Sequence, residues 1–167
     1  MEDNNISITL AKSAESEMII KILKDAAAWL HSINVDQWGY LRNGGEDDEI
    51  CEGINNENTY LARMNSKIVG TFTLYEKQGE WDKYIWGNVP DNALYLHRIA
   101  TIREEKYRGL GTELIKWIER ECKVLEKKFI RLDCVAFNER LNNYYLSAGF
   151  KQIGINHDHC RYEKKFL

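Results

Sequence analysis

Proline is scarce in this chain, and its cysteines are not arranged in pairs. One proline is present among 167 residues, and no proline-rich or low-complexity segment divides the sequence. The four cysteines are scattered, without a Cys-x-x-Cys pair, at Cys51, Cys122, Cys134 and Cys160. This spacing is not typical of a zinc site or a disulfide framework, so we predict no metal and reduced thiols. The length and the missing linker predict a single domain, residues 1–167.

Long apolar runs and an excess of charge of one sign are also lacking. No apolar run reaches the roughly 18 residues that a membrane-spanning helix requires. The first five residues are polar and acidic, unlike a secretory signal peptide. A formal net charge of −3 provides no general attraction to nucleic acid or to an anionic membrane. We therefore expect a cytoplasmic protein with no nucleic-acid partner and no membrane partner.

Hydrophobic periodicity predicts alternating strands and helices. Alternating or continuous apolar runs predict strands at residues 6–10, 59–64, 68–75, 93–102, 129–135, 152–156 and 160–165. Apolar spacings of three and four predict helices from Ser13 or Ser16 to Leu30 and at residues 47–54, 112–125 and 139–147. The aromatic segment 78–92 is expected to be an irregular loop. This order predicts an α/β (α+β) fold, a central mixed sheet of about seven strands with helices on both faces.

A basic, glycine-containing turn lies between the strand predicted at 93–102 and the helix predicted at 112–125. Its sequence is Lys106-Tyr107-Arg108-Gly109-Leu110-Gly111-Thr112. Backbone N–H groups at a helix N-terminus have no partner within the helix, and the helix dipole favours an anion there. The two glycines would let a phosphate approach closely, although a Gly-x-Gly pair alone fits an ordinary turn better.

Three further segments, taken together with this turn, form a pattern that can be compared with known families. They are Leu96-His97-Arg98-Ile99-Ala100-Thr101, then Arg131-Leu132-Asp133-Cys134-Val135-Ala136-Phe137-Asn138, then Tyr145-Leu146-Ser147-Ala148-Gly149-Phe150. In order and spacing, the region from Tyr95 to Phe150 resembles the GCN5-related N-acetyltransferase (GNAT) superfamily. The glycine turn fits the family's [Arg/Gln]-x-x-Gly-x-[Gly/Ala] motif, and the last segment fits its Tyr-x-x-x-Gly-Phe motif.

The resemblance implies acetyl-CoA as co-substrate. Backbone N–H groups of the glycine turn would hold the pyrophosphate, and a bulged, splayed central strand would pair with the pantetheine arm. The implied cofactor-binding residues are Ile99, Ala100, Thr101, Lys106, Tyr107, Arg108, Gly109, Leu110, Gly111, Thr112 and Asn138. Tyr145 would protonate the departing CoA thiolate, because a phenol is a suitable acid for that leaving group. Asn138 fits a helix N-cap as well, and the two roles are compatible.

The chain departs from the family pattern at two places. Lys106 stands where arginine or glutamine is usual, so charge is kept but the planar fork is lost. Tyr95 stands where many members carry a glutamate base, and residues 93–102 contain no carboxylate. His97 is therefore the candidate catalytic base. A core histidine bonded to a neighbour and proton loss to bulk water are the alternatives.

The implied function is transfer of an acetyl group to a primary amine, by direct attack in a ternary complex. Trp29, Trp38, Trp81, Tyr84 and Trp86 favour a small-molecule amine if they line a pocket, although ordinary packing explains them as well. The acidic run 46–49 fits either attraction of a basic acceptor or a helix start. A non-catalytic acyl-CoA sensor and a protein N-acetyltransferase are the alternatives, and a homodimer is left open.

Overall fold

The computed structural model describes residues 5–166, which form seven strands and six α-helices. The strands are β1 (Ile6–Leu10), β2 (Thr59–Met64), β3 (Lys67–Tyr75), β4 (Ala93–Thr101), β5 (Phe129–Val135), β6 (Lys151–Asn156) and β7 (His159–Lys165). The helices are α1 (Ser16–Ser32), α2 (Gly39–Arg42), α3 (Asp47–Asn55), α4 (Glu80–Trp86), α5 (Leu110–Val124) and α6 (Glu139–Ser147). The sheet is mixed, with the strand order β1-β2-β3-β4-β5-β7-β6, so the predicted fold class is confirmed.

Two compact units divide the chain, and β4 and α5 each contribute to both. The first unit contains the chain up to Leu74 together with Arg98–Leu114, and the second contains Tyr75–His97 with the chain from Ile115 onward. The prediction that residues 1–167 form one domain stays a prediction. Among the described residues, no helix is long and apolar enough to cross a membrane.

The core of the first unit is built from one face of α1. Ile19, Leu23 and Ala27 recur at four-residue spacing and are buried, as an amphipathic helix requires. They pack with buried apolar residues of the following elements, among them Leu41 of α2 and Leu61 of β2. Each fully buried leucine or isoleucine among them contributes about 1.5–3 kcal/mol of hydrophobic stabilisation. The predicted amphipathic helix therefore packs chiefly with α2 and α3 and reaches the sheet at Leu61.

The predicted β2–β3 hairpin is present, with Asn65 and Ser66 both left-handed at φ values of 49° and 66°. Positive φ at both central residues is the geometry of a type I′ turn, whose twist matches that of the flanking strands. His157 and Asp158, at 48° and 61°, repeat this arrangement between β6 and β7. Both hairpins therefore turn on ordinary residues rather than on glycine.

Strand β4 is irregular at Arg98, which has a φ of 49° within an otherwise extended run. Its guanidinium is 7% exposed and lies 3.2 Å from a carboxylate oxygen of Glu46 and 2.7 Å from one of Glu49. These two acidic residues belong to the run that was predicted to attract a basic acceptor or to begin a helix. The run lies at the start of α3, and two of its carboxylates form ion pairs with Arg98 of the same unit.

In the second unit, β5 pairs with β4 in parallel and with β7 in antiparallel register. The described parallel pairs are Ala93 with Phe129, Leu94 with Ile130, and Tyr95 with Arg131. The predicted parallel crossover partner of β4 is therefore confirmed.

The prediction of an irregular loop at residues 78–92 was wrong, because α4 lies within it. The Gly79 N–H donates to a carboxylate oxygen of Asp82 at 3.0 Å, which caps the start of this short helix. Ile85 and Trp86, at its other end, are buried against Tyr95. Tertiary packing thus specifies a helix that the aromatic, glycine-containing sequence does not predict.

Candidate active site

The glycine turn of the first unit adopts a conformation that glycine makes available. Arg108 has φ −56° and ψ 133°, and Gly109 follows with a φ of 85°. These angles match the two central residues of a type II turn, whose second position strongly favours glycine. Helix α5 begins directly after it, at Leu110 rather than at the predicted Thr112. The turn and the helix N-terminus are therefore continuous.

Two of the five predicted pyrophosphate-binding N–H groups are engaged within the protein. The Arg108 N–H donates to the Glu105 carbonyl at 3.1 Å, and the Thr112 N–H donates to the Gly109 carbonyl at 3.1 Å. Leu110 and Gly111 are the first two residues of α5, so the helix itself supplies no acceptor for their N–H groups. Within 108–112, the N–H groups of Leu110 and Gly111 are therefore the best placed for the predicted anion binding.

The basic side chains of the turn form ion pairs with carboxylates. Lys106 Nζ lies 3.4 Å from Glu104, and an Arg108 Nη lies 2.8 Å from Glu105. Lys67 also contacts Glu104, at 2.7 Å, and this hydrogen bond is the largest cause that lowers the pKa of the Glu104 carboxyl. Three cations thus share two carboxylates, so the positive charge expected from Lys106 and Arg108 is reduced rather than cancelled.

The last residues of β4 precede this turn in the same unit. Ala100 is buried, whereas Ile99 and Thr101 are partly exposed. The Ile102 N–H that follows them donates to the Val69 carbonyl of β3 at 2.9 Å, so this end of β4 is hydrogen-bonded on its β3 side. The predicted pairing of residues 99–101 with a pantetheine arm stays a prediction.

Asn138 and Tyr145 lie at the two ends of α6 in the second unit. The Asn138 side-chain oxygen accepts the Leu141 N–H at 3.2 Å, so the capping role considered for Asn138 is present. Tyr145 is 4% exposed, and its ring meets Phe150 and Tyr162 at centroid distances of 5.9 and 5.7 Å. Burial raises the pKa of the Tyr145 phenol well above its usual value. The shift keeps the phenol protonated at neutral pH, as for any tyrosine, and makes it a weaker acid than a solvated one.

His97 is bonded to a buried carboxylate that the sequence did not reveal. Its Nε2 lies 2.8 Å from Oδ1 of Asp82, in α4, and the edge of the Tyr75 ring packs against the imidazole at 5.2 Å. The side chains of His97 and Asp82 are 15% and 3% exposed. The histidine thus has the hydrogen-bonded neighbour expected of a core residue, in an arrangement that also suits a base oriented by a carboxylate.

Asp133 of β5 is a second carboxylate in this neighbourhood. The Trp81 indole N–H points at both of its oxygens, at 3.1 and 3.2 Å. Burial raises the pKa of Asp133, and the opposing influences are His97, the Trp81 hydrogen bond and His159. The signal available in the sequence was an acidic residue within the apolar run 129–135. For Asp82, no comparable signal exists.

The candidate base and the candidate acid lie on opposite faces of β5. Tyr95 and Arg131 are in register and bonded at 3.2 Å, so residues two positions further, His97 and Asp133, lie on that same face. Helix α4 covers this face through the contacts of Asp82 and Trp81. Helix α6 covers the other, where Asn142 accepts the Tyr162 hydroxyl proton at 2.6 Å and Tyr145 packs on the same ring. The second unit therefore has helices on both faces of its strands.

Two exposed aromatic side chains of α4 pair with histidines of the β6–β7 hairpin. The Tyr84 ring stacks on His157 at 3.8 Å, and the Trp81 ring meets the edge of His159 at 5.0 Å. Trp81 and Tyr84 remain 42% and 52% exposed. Trp86 is buried beneath Arg131, so it is a packing residue rather than part of an open surface.

Known proteins resemble this chain in sequence and in structure. A model of the acetyltransferase (GNAT) family matches residues 25–150. A curated relative described as an uncharacterized N-acetyltransferase, YesJ of Bacillus subtilis (strain 168), is 30% identical over 141 residues, 84% of this chain and 78% of its own. A GNAT-family acetyltransferase from Listeria monocytogenes 4b F2365 superposes with a TM-score of 0.82 at 26% identity, covering 96% of this chain and 95% of that one.

A more distant structure shares the fold alone. The PaiA N-acetyltransferase of Thermoplasma acidophilum, solved in complex with coenzyme A, is 18% identical with a TM-score of 0.75. The likeness covers 97% of this chain and 99% of that one.

Proposed function

Since this chain belongs to the acetyltransferase (GNAT) family, we propose that it acetylates a primary amine of a small molecule by direct attack in a ternary complex. Acetyl-CoA is the acetyl donor, and the chain is an acetyltransferase that takes a second, acceptor substrate. The half-exposed ring of Trp81, whose N–H lies 3.1 Å from an Asp133 oxygen, supports a cationic amine as acceptor, because an aromatic ring and a carboxylate both attract a cation. A cytoplasmic location and a homodimer stay predictions of the sequence.

The observation that carries the proposed chemistry is the buried Tyr145 phenol, seven residues after the α6 cap Asn138. The amine nitrogen forms a bond to the thioester carbon, the carbon–sulfur bond breaks, and Tyr145 gives its proton to the sulfur. His97 takes the proton of the acceptor ammonium before attack. The proton that nitrogen loses on forming the amide restores the phenol through solvent.

The donor is assigned to the groups that the family motifs mark. N–H groups of the 108–112 turn, chiefly Leu110 and Gly111, would bind the pyrophosphate, with Lys106 and Tyr107 beside it. Main-chain groups of residues 99–101 and the Asn138 side chain would bind the pantetheine. These assignments rest on the family motifs and on the type II turn that presents the helix N-terminus.

The test is Tyr145→Phe, which removes the hydroxyl and keeps the ring packed on Phe150 and Tyr162. We expect turnover to fall by about 100-fold or more, since general acid catalysis contributes about 10²–10⁴. Acetyl-CoA affinity in isothermal titration should be unchanged. Tyr144→Phe is the matched control, because it removes the adjacent hydroxyl of the same helix, which points about 100° away.

Turnover is measured as CoA thiol release from acetyl-CoA with tyramine, putrescine, glucosamine and a peptide beginning with alanine. Acetylation of the peptide alone would replace the small-molecule acceptor with a protein N-terminus. Acetyl-CoA binding without transfer to any amine would favour a non-catalytic acyl-CoA sensor. Equal turnover of Tyr145→Phe and Tyr144→Phe would remove Tyr145 from the mechanism.

A further inference from the structure

Asp82 uses each of its two carboxylate oxygens for a different partner. Oδ2 accepts the Gly79 N–H at 3.0 Å and caps α4, whereas Oδ1 lies 2.8 Å from Nε2 of His97. The carboxylate side chain is 3% exposed. A buried acid that only capped a short helix would not also need to lie at hydrogen-bond distance from an imidazole in the neighbouring strand. The second contact therefore requires an explanation of its own.

The chemistry of this contact fixes the tautomer of the imidazole. An ionised carboxylate only accepts hydrogen bonds, so Nε2 must carry the proton. In the neutral ring, the lone pair then resides on Nδ1, because the partner of one ring nitrogen determines the state of the other. His97 thus presents Nδ1 as the atom that can accept a proton.

The other groups around His97 come from four elements. The Tyr75 ring edge comes from β3 and Asp133 from β5, while Tyr95 lies two residues earlier on the same face of β4. His159 and Arg161 of β7 flank Asp133, the latter in direct register with it. Compared with these groups, Asp82 makes the direct contact with an imidazole nitrogen, at 2.8 Å, and this contact orients the ring.

We propose that Asp82 is the positioning residue of this acetyltransferase, holding His97 as the Nε2–H tautomer so that Nδ1 takes the acceptor's proton. The inference rests on the proposed function, because it presupposes that His97 is the base. Asp82 itself touches neither substrate. The sequence alone could not have suggested it, since residues 82 and 97 belong to different elements and α4 was not predicted.

The test substitution is Asp82→Asn. The amide oxygen can still accept the Gly79 N–H, so the α4 cap is retained, but the amide NH₂ now faces His97 as a donor. Nε2 must then accept, which moves the proton to Nδ1 and removes the lone pair that the reaction needs. We expect kcat to fall about 100-fold, the low end of a general base's contribution, with an unchanged KM for acetyl-CoA. Asn156→Ala is the control, because it removes a 2.9 Å hydrogen bond to the Ile85 carbonyl of α4 without touching His97.

Two readouts separate positioning from a merely structural role. ¹⁵N spectra of histidine-labelled protein report which ring nitrogen bears the proton, and His97→Gln identifies the resonances of His97 among the four histidines. The second readout is a double-mutant cycle with the probe amine that turns over best. Asp82→Asn should cost nothing further in the His97→Gln background, since residues that act as a unit are non-additive.

The expected result is an Nε2–H tautomer in the native protein and an Nδ1–H tautomer in Asp82→Asn, with the loss of kcat confined to chains that contain His97. A native Nδ1–H tautomer would overturn the inference and leave the proposed function intact if His97→Gln is still slow. Equal losses in both backgrounds would also overturn it, by making Asp82 structural. A His97→Gln variant as fast as the native enzyme would instead remove the base role on which the inference rests.

Discussion

Gly109 offers a direct measure of how much the glycine turn contributes to binding the donor. Its φ of 85° follows an Arg108 with φ −56° and ψ 133°, so the type II turn places Gly109 at the left-handed position. Among the described residues, no atom lies within 4 Å of a Cβ built on Gly109. Gly109→Ala therefore introduces backbone strain and no steric clash.

The size of that strain follows from the backbone geometry. A left-handed conformation costs an L-residue about 1–2 kcal/mol, equivalent to about a 5- to 30-fold change in an equilibrium constant. If the variant keeps the turn, the strain lowers the free energy of unfolding. If the turn relaxes, the N–H groups of Leu110 and Gly111 that we propose to bind the pyrophosphate are displaced, and the strain appears as weaker acetyl-CoA binding. The two losses together should amount to about 1–2 kcal/mol.

Denaturant unfolding and isothermal titration with acetyl-CoA measure the two losses separately. Gly109→Asn is the graded variant, because asparagine enters the left-handed region more readily than alanine. Gly39→Ala is the control for adding a methyl group, since Gly39 begins α2 and its added Cβ meets only ordinary contact, with Asp36 at 3.9 Å. A combined loss for Gly109→Ala within about 0.5 kcal/mol of the control would refute the argument that this turn must be left-handed.

Two further predictions follow from pKa shifts in the second unit. Burial raises the pKa of Asp133 above its unfolded value of about 3.9, so ionisation destabilises the fold as pH rises. Asp133→Asn should therefore raise Tm at pH 7, with the gain disappearing as pH falls below about 4, and a gain that did not depend on pH would contradict this cause. Burial also raises the pKa of the Cys122 thiol to about 11 and that of Cys134 to about 12. At pH 8 a thiol reagent should modify the partly exposed Cys51 rapidly and these two only after unfolding; fast modification of either would show that the chain opens locally.

The parts of the candidate site that are local in sequence could be predicted. The Asn138 cap, the left-handed Gly149 with φ 89° and the seven-residue interval to Tyr145 all depend on one short helix and its ends. The glycine turn is local in the same way, because Gly109 and the start of α5 are adjacent. Each of these features is specified by neighbours in the chain, which a single sequence displays.

The parts that depend on distant partners could not be predicted. Asp82 meets His97 only because α4 forms, and α4 is specified by burial of Ile85 and Trp86 rather than by its own periodicity. The counter-ion of the acidic run 46–49 is likewise distant in sequence, whereas Glu104 and Glu105 directly precede the glycine turn and could have been recognised. The acidic run 46–49 pairs with Arg98, and the cations of the glycine turn pair with their own neighbours.

Side chains alternate along β5, so this strand presents two faces, each with its own set of neighbouring groups. Asp133 faces α4 and the groups proposed for the acceptor, whereas Cys134, one residue later, faces α6 and Tyr145. The two faces are nevertheless coupled through charge, because Asp133 adds to the effect of burial in raising the pKa of Tyr145. A substitution of Asp133 should therefore also be felt on the α6 side of the strand, through the loss of its charge rather than through a lost contact.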